Sequence, residues 1–481
     1  MKSVSLKKNA VYSLIKTGCS IMFPLITFPY VTRVLSTDNY GKYTFSASII
    51  GYIALIAGLG IANYARREGA RVRDDRELLQ KFVSEVFSIH ILSTLAAIVI
   101  LFLLLVFWPK LHDYSSVIVI LSLSTIFTTL GTDWINTIFE DYRYITIRYL
   151  ICQIISIGLM FAIVREPNDV INYAVVTVSG GVLANISNIF YIRKKYRLTP
   201  KIVFTKNLEN HLKPVLVLFA TTIVSVIYIN SDITILGMLS SDTDVAIYGV
   251  SSKIYSLAKQ MINSIAAVTI SRISLLVAKN ATDSIKRIIE NTFEAVLLFL
   301  IPSVVGLILL RDPIILLISG EKYLNASMSL MILSCSLLCS TMANIFVNTI
   351  LIPYRKENIS FLILSLSAVI NIVLNFILIP RFTYNAAAFT TLISEFFVLV
   401  FSFIVSRKIL SVDILKKITL PLVGGGIAVI SCVTVLHFFS KPIVVLSLSI
   451  SLTVVFYLLL LMLVKDNPVY IFVNRILKRK K

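Results

Sequence analysis

Long apolar runs separated by short polar segments recur along the whole chain. Each run is about 20 residues long, which is the length of helix needed to cross the hydrocarbon core of a bilayer. All are predicted to be helices, because backbone groups in hydrocarbon find no partner outside their own segment. The fourteen predicted spans are residues 11–31, 43–64, 83–107, 116–138, 145–164, 170–192, 214–236, 247–270, 291–310, 325–351, 360–379, 385–405, 419–437 and 443–464.

Several of these spans carry polar residues at helical spacing. Residues three, four and seven positions apart share one face of a helix, and such polar faces occur in spans 1, 4, 7, 8 and 10. We therefore expect a wet central cavity lined by these five spans. The alternative is that the Ser and Thr hydroxyls bond to their own helix or join neighbouring helices, which is the commoner role of a single hydroxyl in a membrane helix.

The sequence also contains an internal repeat. Residues 135–143 recur as residues 347–355, with five of the nine positions identical. Further matches in the same order pair spans 1–2, 4 and 6 with spans 7–8, 10 and 12. An offset of six spans keeps the orientation, so the pattern predicts two six-helix lobes, arranged as parallel repeats about an axis along the membrane normal. The predicted parts are an N-terminal lobe at 1–205, a C-terminal lobe at 206–410, and a segment at 411–481 that holds spans 13 and 14 and a basic cytoplasmic tail.

Composition agrees with a membrane-embedded chain. Of the 481 residues, 57% are hydrophobic and only 15% are charged, whereas an ordinary soluble domain has about 25% charged residues. The mean hydropathy is +0.88. These values exclude a soluble enzyme, a disordered chain and a fibrous protein, and they indicate an all-α integral membrane protein.

The net charge of +20 reflects the topology of the chain. The side that holds both termini carries 34 of the 45 Lys and Arg residues, with Arg148 at the start of span 5 included, and the other side carries 8. Basic loops stay in the cytoplasm, so both termini are predicted to be cytoplasmic. No link is long enough to fold a nucleic-acid-binding or catalytic domain, and we expect neither nucleic-acid binding nor enzyme activity.

Five cysteines lie inside apolar segments: Cys19, Cys152, Cys335, Cys339 and Cys432. No pair of them falls in a loop, and the four histidines have no ligand spacing. We therefore predict no disulfide, no metal site and no cofactor.

Charged residues inside the spans are the strongest candidates for function. An ionised side chain at the bilayer centre costs about 2.5–3.5 kcal/mol on insertion scales. Lys253 and Lys259 lie within span 8 and Glu395 within span 12, while Lys16 and Asp232 lie nearer the ends of their spans. The alternative to a functional role is a structural ion pair. Arg33 and Arg67 end spans 1 and 2, where anchoring at the interface is the default role.

Four segments resemble motifs of the bacterial polysaccharide-repeat flippases, the O-antigen (Wzx-type) transporters of the multidrug/oligosaccharidyl-lipid/polysaccharide (MOP) superfamily, whose multidrug branch is the MATE transporters. The segments are residues 28–43, 58–68, 247–255 and 379–395. The resemblance covers essentially the whole chain. Three positions depart from it, because Ser36, Thr383 and Asn385 stand where the family often has glycine.

The resemblance implies alternating access that moves an undecaprenyl-diphosphate-linked oligosaccharide, an O-antigen or capsule repeat unit, across the inner membrane. Spans 13 and 14 would then offer the lipid tail a groove. Candidate substrate-binding residues are Lys16, Arg33, Arg67, Lys253, Tyr255, Lys259 and Asn263, and candidate ion-coupling residues are Asp232 and Glu395. The expected partners are the lipid-linked oligosaccharide, H⁺ or Na⁺, a polysaccharide polymerase and chain-length proteins.

Two other functions fit the same chain. The first is a multidrug/cation antiporter of the same superfamily, which would favour carboxylates over lysines deep in the cavity. The second is a membrane scaffold without transport activity, which the buried charges and the two-lobed repeat disfavour.

Overall fold

The computed structural model describes residues 6–205, 207–279, 281–410 and 417–464, together with Asn467 and Tyr470. Every regular element in these ranges is a helix. Most of the predicted basic tail after span 14 lies outside the described residues. The sixteen α-helices are α1 (Leu6–Val34), α2 (Thr37–Gly58), α3 (Ile61–Val72), α4 (Arg76–Phe107), α5 (Ser115–Gly131), α6 (Trp134–Ile138), α7 (Tyr142–Ile163), α8 (Val170–Lys195), α9 (Leu208–Leu239), α10 (Asp242–Ala278), α11 (Thr282–Leu309), α12 (Arg311–Ile318), α13 (Ala326–Ile345), α14 (Glu357–Ile409), α15 (Thr419–Phe438) and α16 (Pro442–Leu463).

Thirteen helical segments of the described chain are long and apolar enough to cross a membrane. They coincide with the predicted spans, except that one segment, α14, covers both span 11 and span 12. The chain is therefore an all-α, multi-pass membrane protein.

Helix α14 folds back on itself. Its 53 residues would extend for roughly 80 Å if the helix were straight, far more than the hydrocarbon thickness of about 30 Å. Ser367 instead donates a hydrogen bond of 3.0 Å to the carbonyl of Ser394, 27 residues later. The turn is at Thr383, whose φ of 47° and ψ of −129° are not helical. With α14 counted as two crossings, the predicted fourteen spans are confirmed.

Span 4 differs from its prediction because the helix is interrupted. The apolar run to residue 138 predicts one continuous helix, but α5 ends at Gly131, and Thr132 takes a left-handed conformation with φ of 47°. The last carbonyls of a helix have no partner within it. Asn188 of α8 supplies one, since its Nδ2 lies 2.6 Å from the carbonyl of Gly131. The neighbouring helix α8 thus stabilises the end of α5 at the break.

The second copy of the repeat is irregular at the matching place. There the end of span 10, Phe346–Leu351, is a π-helix. Such π segments are rare and often occur at functional sites. Both copies of the repeat therefore depart from regular helix where spans 4 and 10 end.

The chain forms two compact units, Met1–Ala246 and Ile247–Lys481. Within the second unit, α15 packs closely on α16. A Cβ atom added to Gly424 would lie 2.3 Å from the ring of Tyr457, so only glycine fits at this contact. The predicted division into lobes at residues 205 and 410, and the parallel repeat axis, stay predictions.

In the first unit a carboxylate joins the start of α7 to the end of α8. Asp141 accepts hydrogen bonds from Lys195 Nζ at 2.5 Å, Tyr191 Oη at 2.6 Å and Tyr196 Oη at 2.9 Å. Burial raises the pKa of Asp141, but these three donors outweigh burial and hold the pKa below its ordinary value. We call these four residues the Asp141 clamp.

Candidate functional site

A partly buried ion pair joins α10 to the part of α14 that follows its turn at Thr383; the side chain of Lys259 is 28% exposed. Lys259 Nζ lies 2.7 Å from Glu395 Oε1. Glu395 is only 5% exposed. No cation lies next to it in the sequence, and the fold brings it to Lys259 across 136 positions. Removing one partner of such a pair costs about 3–5 kcal/mol, because the other charge is left buried and uncompensated.

Tyr255 extends this pair by one helical turn. Residues four apart share a helix face, and Lys259 Nζ donates to Tyr255 Oη at 3.2 Å. Tyr255 Oη in turn donates to Ser340 Oγ of α13, also at 3.2 Å. The result is a polar chain that crosses from α10 to α13 and α14. Tyr255, Lys259 and Glu395, all predicted as site residues, therefore meet in one place.

Two other predicted residues of α10 do not join this chain. The Oδ1 atom of Asn263 is buried, and no described residue donates a hydrogen bond to it. Lys253 is partly buried, but six residues separate it from Lys259, which turns it about 240° around the helix. Asn263 therefore has a buried acceptor without a described donor, Lys253 lies on a different face of α10, and their roles in binding stay predictions.

The other four predicted residues belong to the first unit. Lys16 Nζ lies 5.9 Å from the ring centroid of Tyr149 on α7, as in a cation–π contact. Arg33 is exposed in the last turn of α1, and Arg67 is exposed beside Glu68 at 2.9 Å. Asp232 is buried on α9, with 5% of its surface exposed. Their part in a common cavity with the α10 residues stays a prediction.

One buried arginine is not predicted from the sequence. Arg148 was counted among the loop cations, yet it lies within α7 and is 9% exposed. Its Nη2 atom lies 2.5 Å from Oδ1 of Asp133, which also accepts from Asn136 at 3.0 Å. The sequence marks only Asn136 of this cluster, which belongs to the repeated motif and to the polar face of span 4.

The second unit also contains an apolar groove. It has a volume of about 560 Å³, and its walls come from α10, α11, α12, α15 and α16. Half-exposed side chains such as Met261, Phe299 and Ile450 line it. Ala258 and Met261 face the groove, while Lys259 turns to Glu395, so the groove and the ion pair lie at the same level of α10. Such a groove can hold an aliphatic chain.

The chain matches one family profile over residues 6–277, and that family is described as "Polysaccharide biosynthesis protein". Two curated relatives, both provisionally named O-antigen transporters, are similar to it. The relative from Escherichia coli (strain K12) is 24% identical over 362 residues, which cover 74% of this chain and 86% of the relative. The relative from Shigella dysenteriae is 25% identical over 372 residues, which cover 76% of this chain and 90% of the relative.

Solved structures share the fold. A lipid II flippase, MurJ in an inward closed conformation, aligns with a TM-score of 0.80 at 18% identity, over 95% of this chain and 99% of that structure. An inward-facing multidrug resistance MATE family transporter of the MOP superfamily aligns with a TM-score of 0.59 at 14% identity, over 83% of this chain and 99% of that structure. The expected MOP fold is thereby confirmed.

Proposed function

Because the chain belongs to the polysaccharide biosynthesis protein family, we propose that it is a flippase for an undecaprenyl-diphosphate-linked oligosaccharide. Its cargo would be an O-antigen or capsule repeat unit, carried by alternating access across the bacterial inner membrane. The names of its relatives support transport of O-antigen material. In this proposal both termini lie in the cytoplasm, as the basic loops predict.

One observation supports a lipid-linked cargo above the others: the apolar groove and the Lys259–Glu395 pair lie at the same level of α10, where Ala258 lines the groove and the next residue forms the pair. A lipid-linked sugar has an aliphatic chain attached directly to a diphosphate. In the groove, the chain would be removed from water, and the diphosphate would then come close to Lys259. A cargo of this kind needs a cation and an apolar surface at the same level of α10.

The ion pair also suggests how binding and release are coupled. Lys259 has Glu395 as its partner when no cargo is bound, and an arriving diphosphate competes for the ammonium group. Protonation of Glu395, or binding of Na⁺ to it, would free Lys259 for the cargo. Loss of that ion would restore the pair and release the diphosphate, so Glu395 serves as the coupling residue.

A multidrug/cation antiporter would use the same groups differently. A cationic drug needs an available carboxylate, but Lys259 already holds Glu395 at 2.7 Å. The drug would have to displace the ammonium group of Lys259, which also donates a hydrogen bond to Tyr255. The family and the names of the relatives therefore favour a lipid-linked, anionic cargo over a cationic drug.

The proposal is tested by changing the pair in cells that lack their own flippase. Lys259→Ala should lower surface polysaccharide at least tenfold at equal protein level, because the diphosphate loses its cation. Glu395→Gln should also impair export, since it keeps the shape of the side chain and removes its charge. Lys286→Ala is the matched control, because Lys286 belongs to another Lys–Glu pair, with Glu290 at 3.9 Å on α11.

The double variant Lys259→Ala/Glu395→Ala separates cargo binding from structure. If Lys259 contacts the cargo, the double variant stays as defective as the single one. If the pair only stabilises the fold, removing both charges restores export, and that rescue would rule out the contact. A wild-type protein that fails to restore surface polysaccharide in any host would contradict the flippase assignment itself.

A further inference from the structure

The segment between α8 and α9 lies along α4 as a strap, which we define as residues 197–205. Three backbone N–H groups of the strap are held by side chains of α4. The donors are Thr199, Lys201 and Val203, and the acceptors are Gln80, Ser84 and Ser88, at 3.1, 3.4 and 2.8 Å. The spacing explains the fit, because two extended residues advance about 6.6 Å and four helical residues advance about 6 Å.

A buried carboxylate holds the far end of the strap. Glu85 of α4 is 3% exposed. It accepts hydrogen bonds from Thr205 at 3.1 Å and Asn207 at 3.4 Å, and it pairs with His211 at 3.0 Å. The other ring nitrogen of His211 lies 2.6 Å from Tyr64 Oη. The strap is therefore fixed to the helices of the first unit along its whole length.

The two faces of the strap differ. Its odd-numbered residues, from 197 to 205, all line a cavity of about 660 Å³ against the start of α4. The even-numbered residues Ile202 and Phe204 are 54% and 77% exposed. Alternation of this kind is expected of extended backbone, in which successive side chains point to opposite sides. The strap thus combines a polar cavity on one side with exposed apolar groups on the other.

The cavity is basic. Four cations line it, namely Arg76, Lys81, Arg197 and Lys201, and all four are exposed. Two carboxylates also line it, those of Glu77 and Glu85. The carboxylate of Glu85 is already occupied by the strap and by His211. An excess of positive charge therefore faces the cavity, which suits a phosphate group.

We propose that this cavity binds the phosphate headgroup of an anionic phospholipid from the surrounding bilayer. The charged start of α4 passes directly into a strongly apolar span, Arg76–Phe107, so the cavity lies where a span leaves the hydrocarbon. Basic side chains at that level attract anionic headgroups. Ile202 and Phe204 would then rest against the acyl chains. The bound lipid would fasten the strap to α4, independently of any cargo.

Short-chain lipids added to the full-length protein in neutral detergent test this site. Dioctanoyl-phosphatidylglycerol should bind and raise the Tm, whereas dioctanoyl-phosphatidylcholine and inorganic phosphate should raise it little. Each basic side chain near an anionic lipid surface strengthens binding about fivefold. Arg76→Gln/Lys201→Gln should therefore raise the Kd for phosphatidylglycerol about 25-fold. Both changed side chains are exposed, and the backbone N–H of Lys201 remains available to Ser84.

The control is Arg193→Gln/Lys194→Gln, which removes two exposed cations from the end of α8 outside the cavity. It should change the Kd less than twofold. Phe204→Ser should weaken phosphatidylglycerol binding through the acyl chains. Three results would each overturn the proposal: phosphatidylcholine binds equally well, inorganic phosphate raises the Tm equally, or the control variant loses equal affinity. An equal effect of inorganic phosphate would show a site for free anions.

Discussion

Glu395 and Asp141 are both paired with a lysine, but they differ in how many other groups hold them. Asp141 accepts hydrogen bonds from three donors, whereas Glu395 has one short contact, with Lys259 at 2.7 Å, and a longer one with Tyr255 at 3.5 Å. The charge of Glu395 therefore depends mainly on a single partner. Such a pair can exchange that partner for a cargo or an ion, while the Asp141 clamp holds two helices together.

The sequence could identify both members of the central pair but not the pairing itself. An ionised residue inside an apolar run is visible from its cost in hydrocarbon, so Lys259 and Glu395 were predicted. Which residue compensates which depends on the packing of α10 against α14. Arg148 was missed for a related reason, because a cation three residues inside a predicted span resembles a loop cation.

We predict that Asp141→Asn lowers the free energy of unfolding by about 1.5–3 kcal/mol, the usual contribution of a hydrogen bond to a charged group. The folded pKa of Asp141 is lowered, so its carboxylate stabilises the fold fully above the unfolded pKa of about 3.9. That contribution is lost as the pH falls through the folded pKa. The Tm of both proteins in detergent, measured from pH 7 to pH 3, checks this.

The difference in Tm between wild type and Asp141→Asn should be largest near neutral pH and should shrink below pH 4. Asp169→Asn provides a comparison at a partly exposed carboxylate, which is held by the backbone N–H groups of Arg165 and Glu166. A gap between wild type and Asp141→Asn that stays constant down to pH 3 would mean that the clamp does not depend on the charge of Asp141.

At the scale of the helices, apolar length predicted where the spans lie but not where they break. The break after Gly131 needs an amide from Asn188 on another helix, and a single run of sequence does not contain that information.

The turn at Thr383 is a different case. The family resemblance expects glycine there, and the observed φ of 47° is a conformation that glycine adopts without strain. The threonine at this turn is therefore strained.

Thr383→Gly should stabilise the protein. A non-glycine residue in a sparsely populated conformation costs of order 1–3 kcal/mol, and the extra flexibility of glycine in the unfolded chain offsets about 0.5–1 kcal/mol of the gain. We expect a higher Tm in detergent. Thr177→Gly is the matched control, since Thr177 is an exposed residue in the regular helix α8, and there the same change should lower the Tm. A lower Tm for Thr383→Gly would show that the turn is not strained.

At the scale of the molecule, the two units and the additional helices α15 and α16 suit a carrier of a lipid-linked cargo. These helices fall outside the internal repeat, and they complete the wall of the apolar groove. The orientation of the protein in the membrane is predicted from the distribution of Lys and Arg, because no contact within the fold reports it. Orientation is therefore a separate prediction.

A reporter enzyme that is active only outside the cytoplasm tests the orientation. Fused after Lys206 it should be silent, and fused after Asp242 it should be active, because α9 crosses the membrane between these positions. A fusion after Lys110, which precedes span 4, should also be active. The reverse pattern would place both termini outside.

The most direct measurement of the central claim is translocation in liposomes that contain the purified protein. Fluorescent undecaprenyl-diphosphate-linked oligosaccharide is placed in one leaflet, and its arrival in the other is followed with a quencher that does not cross the membrane. The wild-type protein should accelerate translocation at least tenfold over empty liposomes, and Lys259→Ala should remove most of that acceleration. Unchanged translocation of the lipid-linked sugar, together with uptake of a cationic dye by the same liposomes, would contradict the account and identify an antiporter.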